Sequence, residues 1–257
     1  MKLTYNWLKD FVDIKLSPEE LAHSLTMAGL EVTSLEAAGG DYVFEIEITS
    51  NRPDWLSVMG IAREVAAITG QKLRAECGVV RAAPKSKENF KINIEDKKDC
   101  PLYTAKIIRD VKVGISPDWL KKRLELIGCR SVNNIVDITN YILFTYGEPL
   151  HAFDLDKIKG HGIAVRRARG NEKISAINGS QYALNKDVLV IADDNAAVAI
   201  AGVMGGKDTE VTQGTKNILL EAAVFDPVLV RRGRQQLGIA SDSSYRFERG
   251  VDIYMLH

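Results

Sequence analysis

The sequence is poor in cysteine and in clustered histidine, and it has no long apolar run. Cys77, Cys100 and Cys129 are odd in number and form no C-x-x-C pair, which favours reduced thiols over a disulfide scaffold or a zinc site. No two of the four histidines share metal-ligand spacing on a helix face. Neither a signal peptide nor an apolar run of about 18 residues is present. We therefore expect a cytoplasmic protein with no metal and no membrane partner.

An excess of charge of one sign is also absent. Lys plus Arg and Asp plus Glu number 34 each, so the formal net charge is zero. This balance excludes a global basic field that would hold nucleic acid by charge alone. Any RNA contact has to be local, and three short basic clusters are available for it at residues 121–123, 166–169 and 231–234. A solvated surface is the alternative interpretation of each cluster.

The chain contains enough apolar residues for one large domain or two smaller ones, because 46% of its 257 residues are hydrophobic. Helix and strand patterns predict a small N-terminal α+β module over residues 1–75 and a larger, mixed α+β region over residues 90–257. Residues 76–89 between them are polar and interrupted by Pro84, which is typical of a linker. The predicted fold class is α+β.

A glycine-rich segment at residues 201–206 and a later apolar run at residues 219–223 are the most informative local features. The apolar run carries a single carboxylate, Glu221. Glycine allows a backbone to approach a ligand closely, and one polar group in an apolar wall is typical of a small-molecule site. The alternative is an ordinary hairpin turn with Glu221 on a solvent-facing side. A phosphate-binding loop is disfavoured, because the G-x-x-x-x-G-K-[ST] pattern lacks its Ser or Thr.

Five motifs carry a resemblance that none of them would support alone. They are Ser-Asn-Arg-Pro-Asp at 50–54, the segment 130–141 (RSVNNIVDITNY), Pro-Leu-His-Ala-Phe-Asp at 149–154, the glycine-rich segment 201–206, and Arg-Phe-Glu-Arg-Gly-Val-Asp at 246–252. Together, and in this order, they resemble the β subunit of bacterial phenylalanine–tRNA ligase. The resemblance covers nearly the whole chain.

The resemblance implies that the region 90–257 is an editing module that hydrolyses tyrosine wrongly attached to the phenylalanine tRNA. A pocket for the phenylalanine ring cannot strongly reject an isostere that only adds a hydroxyl, so a second site has to read that hydroxyl. In this family the aminoacylation site lies on the other subunit. ATP and magnesium serve the complete ligase, and no cofactor is expected on this chain. The implied partners are the phenylalanine tRNA and the α subunit of the ligase.

The resemblance also implies a set of site residues. Glu221 matches the glutamate that accepts a hydrogen bond from the tyrosine hydroxyl. His151 matches a histidine of the same pocket and is the candidate for catalytic proton transfer near neutral pH. The other implied substrate-binding residues are Thr139, Asn140, Gly202, Gly205, Ser241 and Ser243, of which the two serines replace a threonine and an alanine of other members. No Ser-His-Asp pattern is visible, so we expect a positioned water rather than an acyl-enzyme.

Structural interpretations compete with these roles. His151 could be a core histidine with satisfied hydrogen bonds, and Thr139 and Asn140 could bond only to the backbone. For the whole chain, the competing hypothesis is a non-catalytic module that docks RNA or a partner protein. A pocket that contains both Glu221 and His151 favours editing, whereas a filled core around them favours docking.

Two departures from the family pattern concern the extent of the chain. Family members usually carry a tRNA-binding barrel inside the first module, whereas here residues 36–40 are the only connection at that point, so we expect the barrel to be absent. The chain also ends just after the motif at 246–252, where family β subunits continue into further domains. We interpret it as an N-terminal fragment of such a subunit.

Overall fold

The computed structural model describes residues 1–74 and 89–256, which form two compact units. The first unit contains residues 1–74 and two returning segments, 116–132 and 144–147. The second contains residues 89–115, 133–143 and the chain from 148 onward. The predicted linker at 76–89 lies almost entirely outside the described residues, as do Cys77 and His257. The boundary between the domains therefore stays a prediction, and the returning segments are a feature that sequence patterns did not indicate.

The first unit is built on a three-stranded antiparallel sheet with the strand order β1-β3-β2. Phe44 and Ile46 of the central strand are buried while Glu45 between them is not, as the alternation of apolar and charged residues along this segment predicts. Gly39 and Gly40, both with positive φ, close the β2–β3 hairpin where the barrel was expected to be missing. The elements are β1 (Lys2–Thr4), α1 (Tyr5–Lys9), α2 (Pro18–Met27), β2 (Val32–Ala38), β3 (Asp41–Ile46), α3 (Val58–Thr69) and α4 (Asp118–Leu126).

The second unit contains three sheets. Strands β12-β11-β10-β7-β4 form the largest, in which only the β4–β7 pair is parallel, strands β5-β13-β6 form an antiparallel sheet, and β8 pairs with β9. The strands are β4 (Lys91–Ile94), β5 (Leu102–Ile108), β6 (Leu150–Asp154), β7 (Gly162–Arg167), β8 (Lys173–Ser175), β9 (Gln181–Ala183), β10 (Leu189–Ala192), β11 (Ala197–Ile200), β12 (Met204–Gly205) and β13 (Ile218–Val224). The helices are α5 (Asn134–Tyr146), whose last three residues belong to the first unit, α6 (Pro227–Leu237) and α7 (Asp242–Phe247).

The two faces of the β5-β13-β6 sheet pack against different groups. Leu219 and Ala223 of β13 belong to the main core, together with residues of β10 and β11. Ile218 and Leu220 point to the opposite face, where they pack in a small cluster with Ile135 of α5. Because side chains alternate along a strand, Glu221 must share the core-facing side with Leu219 and Ala223.

A buried ion pair fixes part of the second unit around the large sheet. The Arg166 guanidinium donates to both carboxylate oxygens of Glu172, at 2.9 and 2.8 Å. Glu172 also accepts from the backbone N–H of Arg169 and of Ala197, so one carboxylate joins β7, the following turn and β11. These partners, with Arg166 first, lower the pKa of Glu172 to about 2.

The mixture of helices with several separate sheets is an α+β fold, as the sequence predicted. Antiparallel strand pairs dominate, and the helices lie at the ends of strand-rich stretches rather than alternating with parallel strands. Within residues 1–74 and 89–256, no helix is long and apolar enough to cross a membrane.

Candidate functional site

Glu221 and His151 face each other across neighbouring strands. The register of the β13–β6 pair places Glu221 directly opposite His151, and on its other side Glu221 lies opposite Ala105 of β5. Side chains at directly opposite positions of an antiparallel pair lie on the same face with Cβ atoms about 5 Å apart. Two residues that are distant in the sequence are therefore brought together on the core-facing side of the sheet.

The glycine-rich segment lies directly against this pair. A Cβ atom placed on Gly205 would lie 2.4 Å from Cε1 and 2.7 Å from Nε2 of His151, so the imidazole occupies space that only glycine leaves open. The imidazole also packs against Phe153, whose ring meets it edge-on with centroids 4.4 Å apart. His151 is thus packed closely against both a glycine backbone and an aromatic ring.

Two further polar residues surround Glu221. Tyr103 of β5, which is 6% exposed, places its hydroxyl close enough to the Glu221 carboxyl for the two to influence each other's protonation. Glu148, which is 5% exposed and stands just before β6, carries a second carboxyl that interacts electrostatically with Glu221. Tyr103, Glu148, His151 and Glu221 together form the candidate site, which contains three kinds of polar group: a phenol, an imidazole and two carboxyls.

Five buried polar atoms of the candidate site have no hydrogen-bond partner among residues 1–74 and 89–256. They are the Tyr103 hydroxyl, both carboxyl oxygens of Glu148, Nε2 of His151 and Oε2 of Glu221. Tyr103 and Glu221 interact electrostatically, but their geometry does not meet that of a hydrogen bond. Buried polar groups are nearly always paired in native proteins, and unpaired ones need an explanation such as a bound ligand or water. A concentration of them in one place is typical of a binding site and not of a filled core.

The protonation states of the site follow from burial. Burial raises the pKa of Glu221 to about 8, and the Tyr103 hydroxyl acts weakly in the opposite direction. Burial, with added repulsion from Glu221 and Asp252, raises the pKa of Glu148 to about 8, and burial lowers the pKa of His151 to about 4. At pH 7 the site is therefore mainly uncharged. His151 does not titrate near neutrality as expected from its ordinary pKa, and its catalytic role stays a prediction.

Gly202 and Ser241 support the glycine-rich segment. Gly202 has a φ of +68°, and a Cβ there would lie 3.0 Å from Phe247 and 3.1 Å from Phe225. The Ser241 hydroxyl donates to the carbonyl of Val203 at 2.7 Å and accepts from the backbone N–H of Ser244 at 3.0 Å, as the N-cap of α7. Both residues hold the segment in place, and the Ser241 hydroxyl already has two partners.

In the described part of the chain, no hydrogen bond or ion pair joins Thr139, Asn140 or Ser243 to the four residues of the candidate site. The Thr139 hydroxyl donates to the carbonyl of Val136 at 2.7 Å, which agrees with the backbone-bonding alternative. Asn140 follows it on α5, and Ile135 of that helix packs on the face of the sheet opposite His151. Ser243 lies in α7. Substrate contacts by these three residues stay predictions.

Sequence patterns did not indicate Tyr103 and Glu148. Tyr103 shares a strand face with Ala105, the residue opposite Glu221, but the pairing of β5 with β13 is not visible locally. Glu148 offered one usable signal, because it is a lone carboxylate between Gly147 and Pro149. Within residues 1–74 and 89–256, no three His, Cys, Asp or Glu side chains are grouped so that they could hold a metal ion.

The raised pKa of Glu221 predicts a cost in stability. Its folded pKa lies above the ordinary 4.5, so the folded state binds more protons than the unfolded chain and loses stability as the pH rises from about 4.5 toward 8. Glu221→Gln removes this loss and should raise the free energy of unfolding at pH 8 by about 2–4 kcal/mol, and by much less at pH 5. Urea unfolding at both pH values measures it.

The matched control for that experiment is Glu210→Gln. The Glu210 carboxylate pairs with Lys207 at the surface, where an ion pair contributes about 0–1 kcal/mol. A variant Glu221→Gln that is no more stable than this control at pH 8 would show that Glu221 ionises without penalty. A gain in stability at the expense of activity is typical of residues retained for function.

The unit that carries the candidate site belongs to the B3/4 domain family, which matches residues 99–257. The full chain is similar to phenylalanine–tRNA ligase β subunits. The subunit of Rhodopirellula baltica is 45% identical over 253 residues, covering 98% of this chain and 37% of its own length. That of Anaeromyxobacter dehalogenans is 49% identical over 213 residues, covering 82% and 27%. The resemblance inferred from the five motifs is thereby confirmed.

Two more similarities complete the comparison. The β subunit of Syntrophotalea carbinolica is 35% identical over 370 residues, covering all of this chain and 46% of its own length. The crystal structure of an N-terminal fragment of the phenylalanyl-tRNA synthetase β subunit from Pyrococcus horikoshii has a TM-score of 0.45 and 17% identity, covering 93% of this chain and 74% of that one. The chain spans less than half the length of these three curated relatives.

Proposed function

We propose that this chain is the editing region of a phenylalanine–tRNA ligase β subunit, and that it hydrolyses tyrosine from mischarged phenylalanine tRNA. The observation that carries the proposal is the group of unpaired buried atoms around Glu221 and His151. This arrangement supports a ligand site over the filled core that a docking module would have. The relatives support the choice of substrate, because their names place them in phenylalanine–tRNA ligases.

Glu221 would recognise the tyrosine hydroxyl. A phenol that enters the site donates to the Glu221 carboxyl, which lies on the buried side of the sheet. A phenylalanine side chain offers no donor, so the carboxyl would stay buried without a partner. Leaving such a group unsatisfied costs about 1–3 kcal/mol. That difference is the physical basis on which the site would select tyrosine.

Hydrolysis would use a positioned water. The water oxygen attacks the ester carbonyl carbon, the bond from this carbon to the ribose oxygen breaks, and the ribose oxygen takes up a proton as tyrosine leaves. His151, packed against Gly205 and Phe153, is neutral at pH 7 and can accept the proton of the water. Because its pKa is about 4, it is a weak base, so the precise position of the water would supply the larger share of the acceleration.

The wider setting of the site is also part of the proposal. By similarity to its relatives, the chain would act in phenylalanyl-tRNA synthesis together with an α subunit that carries the aminoacylation site. ATP and magnesium would serve that other site, and the tRNA would be the shared partner. The cytoplasm is the compartment in which such a ligase would work.

Deacylation of the phenylalanine tRNA by this chain tests the proposal. We expect the chain to hydrolyse the tyrosyl ester at least about 10-fold faster than the phenylalanyl ester, because only tyrosine satisfies the buried carboxyl. The measurement is the amount of aminoacyl-tRNA that remains with time, corrected for spontaneous hydrolysis. The control is the same assay with the seryl ester of a serine tRNA.

Two results would contradict the proposal. Equal rates on the tyrosyl and phenylalanyl esters would remove the role of Glu221 in recognition. Binding of the tRNA without any hydrolysis above the spontaneous rate would favour a docking module instead.

A further inference from the structure

Glu148 is a buried acid that takes no part in the proposed recognition of the tyrosine hydroxyl. It is 5% exposed, and both of its carboxyl oxygens are buried without a hydrogen-bond partner. It stands between Gly147 and Pro149, three residues before His151. The charged groups that act on it are the acids Glu221 and Asp252. Neither of these two groups is a cation that would compensate the charge of Glu148.

Other acids of the same unit show what a structural carboxylate looks like in this fold. Each of three acids has a basic partner at hydrogen-bond distance: Asp99 with Arg167, Glu172 with Arg166, and Glu248 with Arg234. Glu148 and Glu221 make no such pair in the described part of the chain. Buried acids without a partner are costly, so the pair is better explained by a ligand that supplies donors than by folding.

The position of the two acids distinguishes an inner and an outer end of the site. Glu221 has Tyr103 and Cys100 as neighbours, and both are buried. Glu148, which is as little exposed as Glu221, stands just before β6 and interacts electrostatically with Glu221 and with the exposed Asp252. An aromatic side chain that enters from solvent would therefore reach Glu221 with its distal end, while the group at its proximal end would stay near Glu148.

We infer that the Glu148 carboxyl binds the α-ammonium group of the aminoacyl ester, at the outer end of the site whose inner end reads the phenol. This inference rests on the proposed function. A tyrosyl ester presents two donor groups, a phenol at one end and an ammonium group at the other, and the α-amino group is largely protonated near neutral pH. The two unpaired acids match these donors in number, chemistry and order. A charge-assisted hydrogen bond at Glu148 would be common to tyrosine and phenylalanine, so Glu148 would select esters with a free amino group and Glu221 would select tyrosine.

A binding experiment with small ligands tests the assignment without requiring catalysis. The probes are tyrosinamide and 3-(4-hydroxyphenyl)lactamide, in which a hydroxyl of similar size replaces the ammonium group, and binding is measured by calorimetry at pH 7. We expect the chain to bind tyrosinamide about 10- to 30-fold more tightly than the lactamide. Glu148→Gln should abolish this difference, whereas Glu221→Gln should retain it and lose the preference for tyrosinamide over phenylalaninamide. Glu210→Gln is the control and should behave like the original chain.

The corresponding hydrolysis experiment separates this inference from the proposed function. Tyrosyl-tRNA is compared with tRNA whose tyrosyl group has been converted to the 2-hydroxy acid, and the amino ester should be cleaved about 10-fold faster. Equal cleavage of the two esters, with equal binding of the two amides, would overturn the role of Glu148 while editing stands. The opposite result is that the chain prefers the amine in binding, that Glu148→Gln removes this preference, and that no ester is hydrolysed. That result would support the role of Glu148 and reject editing. The comparison of ligands on the unsubstituted chain needs no variant. The inference can therefore be overturned even if Glu148→Gln does not fold.

Discussion

Gly205→Ala is expected to reduce hydrolysis of tyrosyl-tRNA by at least about 100-fold, because misplacing a catalytic group by about 1 Å has an effect of that size. The new Cβ would lie 2.4 Å from Cε1 of His151, a distance that no side chain tolerates. The imidazole also packs against Phe153 of the main core, so a shift of the ring would disturb core packing. Initial rates of deacylation at saturating tRNA measure the effect.

A second substitution separates the steric effect from general destabilisation. Gly205→Ala should lower the free energy of unfolding by about 1–3 kcal/mol through overpacking. Adding His151→Ala removes the clash, so the double variant should recover most of this stability but none of the activity. Such a non-additive result identifies a direct contact between the two positions.

Gly214→Ala is the matched control for the glycine substitution. A Cβ at Gly214 has only the Thr212 hydroxyl near it, at 4.0 Å, and the residue lies outside the candidate site. It should leave both stability and deacylation close to those of the original chain. If Gly205→Ala were as active as this control, His151 would not be held by the glycine-rich segment in the way described.

Local elements of the fold were predictable from the sequence because their signals are local. The isoleucines spaced along residues 134–146 predicted a helix, and α5 has these bounds. A glycine that follows an apolar helical pattern predicts a helix end, and Gly70 terminates α3 in the left-handed conformation. The sequence Ser-Pro-Glu-Glu at 17–20 predicts a capping box, and Ser17 and Glu20 form one at the start of α2. In each case the periodicity and the terminal residue are contained within one short stretch of chain.

The candidate site was predictable only in part, because it depends on strand pairing. The apolar run around Glu221 indicated a buried strand, but its register opposite His151 is a long-range contact that no local pattern contains. The same holds for Tyr103, which reaches the site through the β5–β13 pairing. The roles of Glu221 and His151 came from the resemblance. Their protonation is a consequence of burial, which becomes visible only in the folded chain.

Glu221→Ala is expected to reduce the preference for the tyrosyl over the phenylalanyl ester by about 10- to 100-fold, since an unsatisfied buried partner is worth about 1–3 kcal/mol. The variant removes the acceptor that would receive the phenol, and phenylalanine loses nothing by its removal. Glu221→Gln keeps a carbonyl oxygen at the same place and should retain part of the preference. The ratio of the two kcat/KM values measures it, and Glu210→Gln, which removes a surface carboxylate, is the control.

The pH dependence of this ratio makes the prediction sharper. As the pH rises through about 8, the Glu221 carboxyl ionises, and a charged acceptor forms a stronger hydrogen bond with the phenol than a neutral one. The preference for tyrosine should therefore increase from pH 7 to pH 9 in the original chain and stay constant in Glu221→Gln. Titration of the α-amino group affects both esters alike and cancels in the ratio. An equal loss of activity on both esters in Glu221→Ala, with no pH dependence of the ratio in the original chain, would assign Glu221 a role in folding alone.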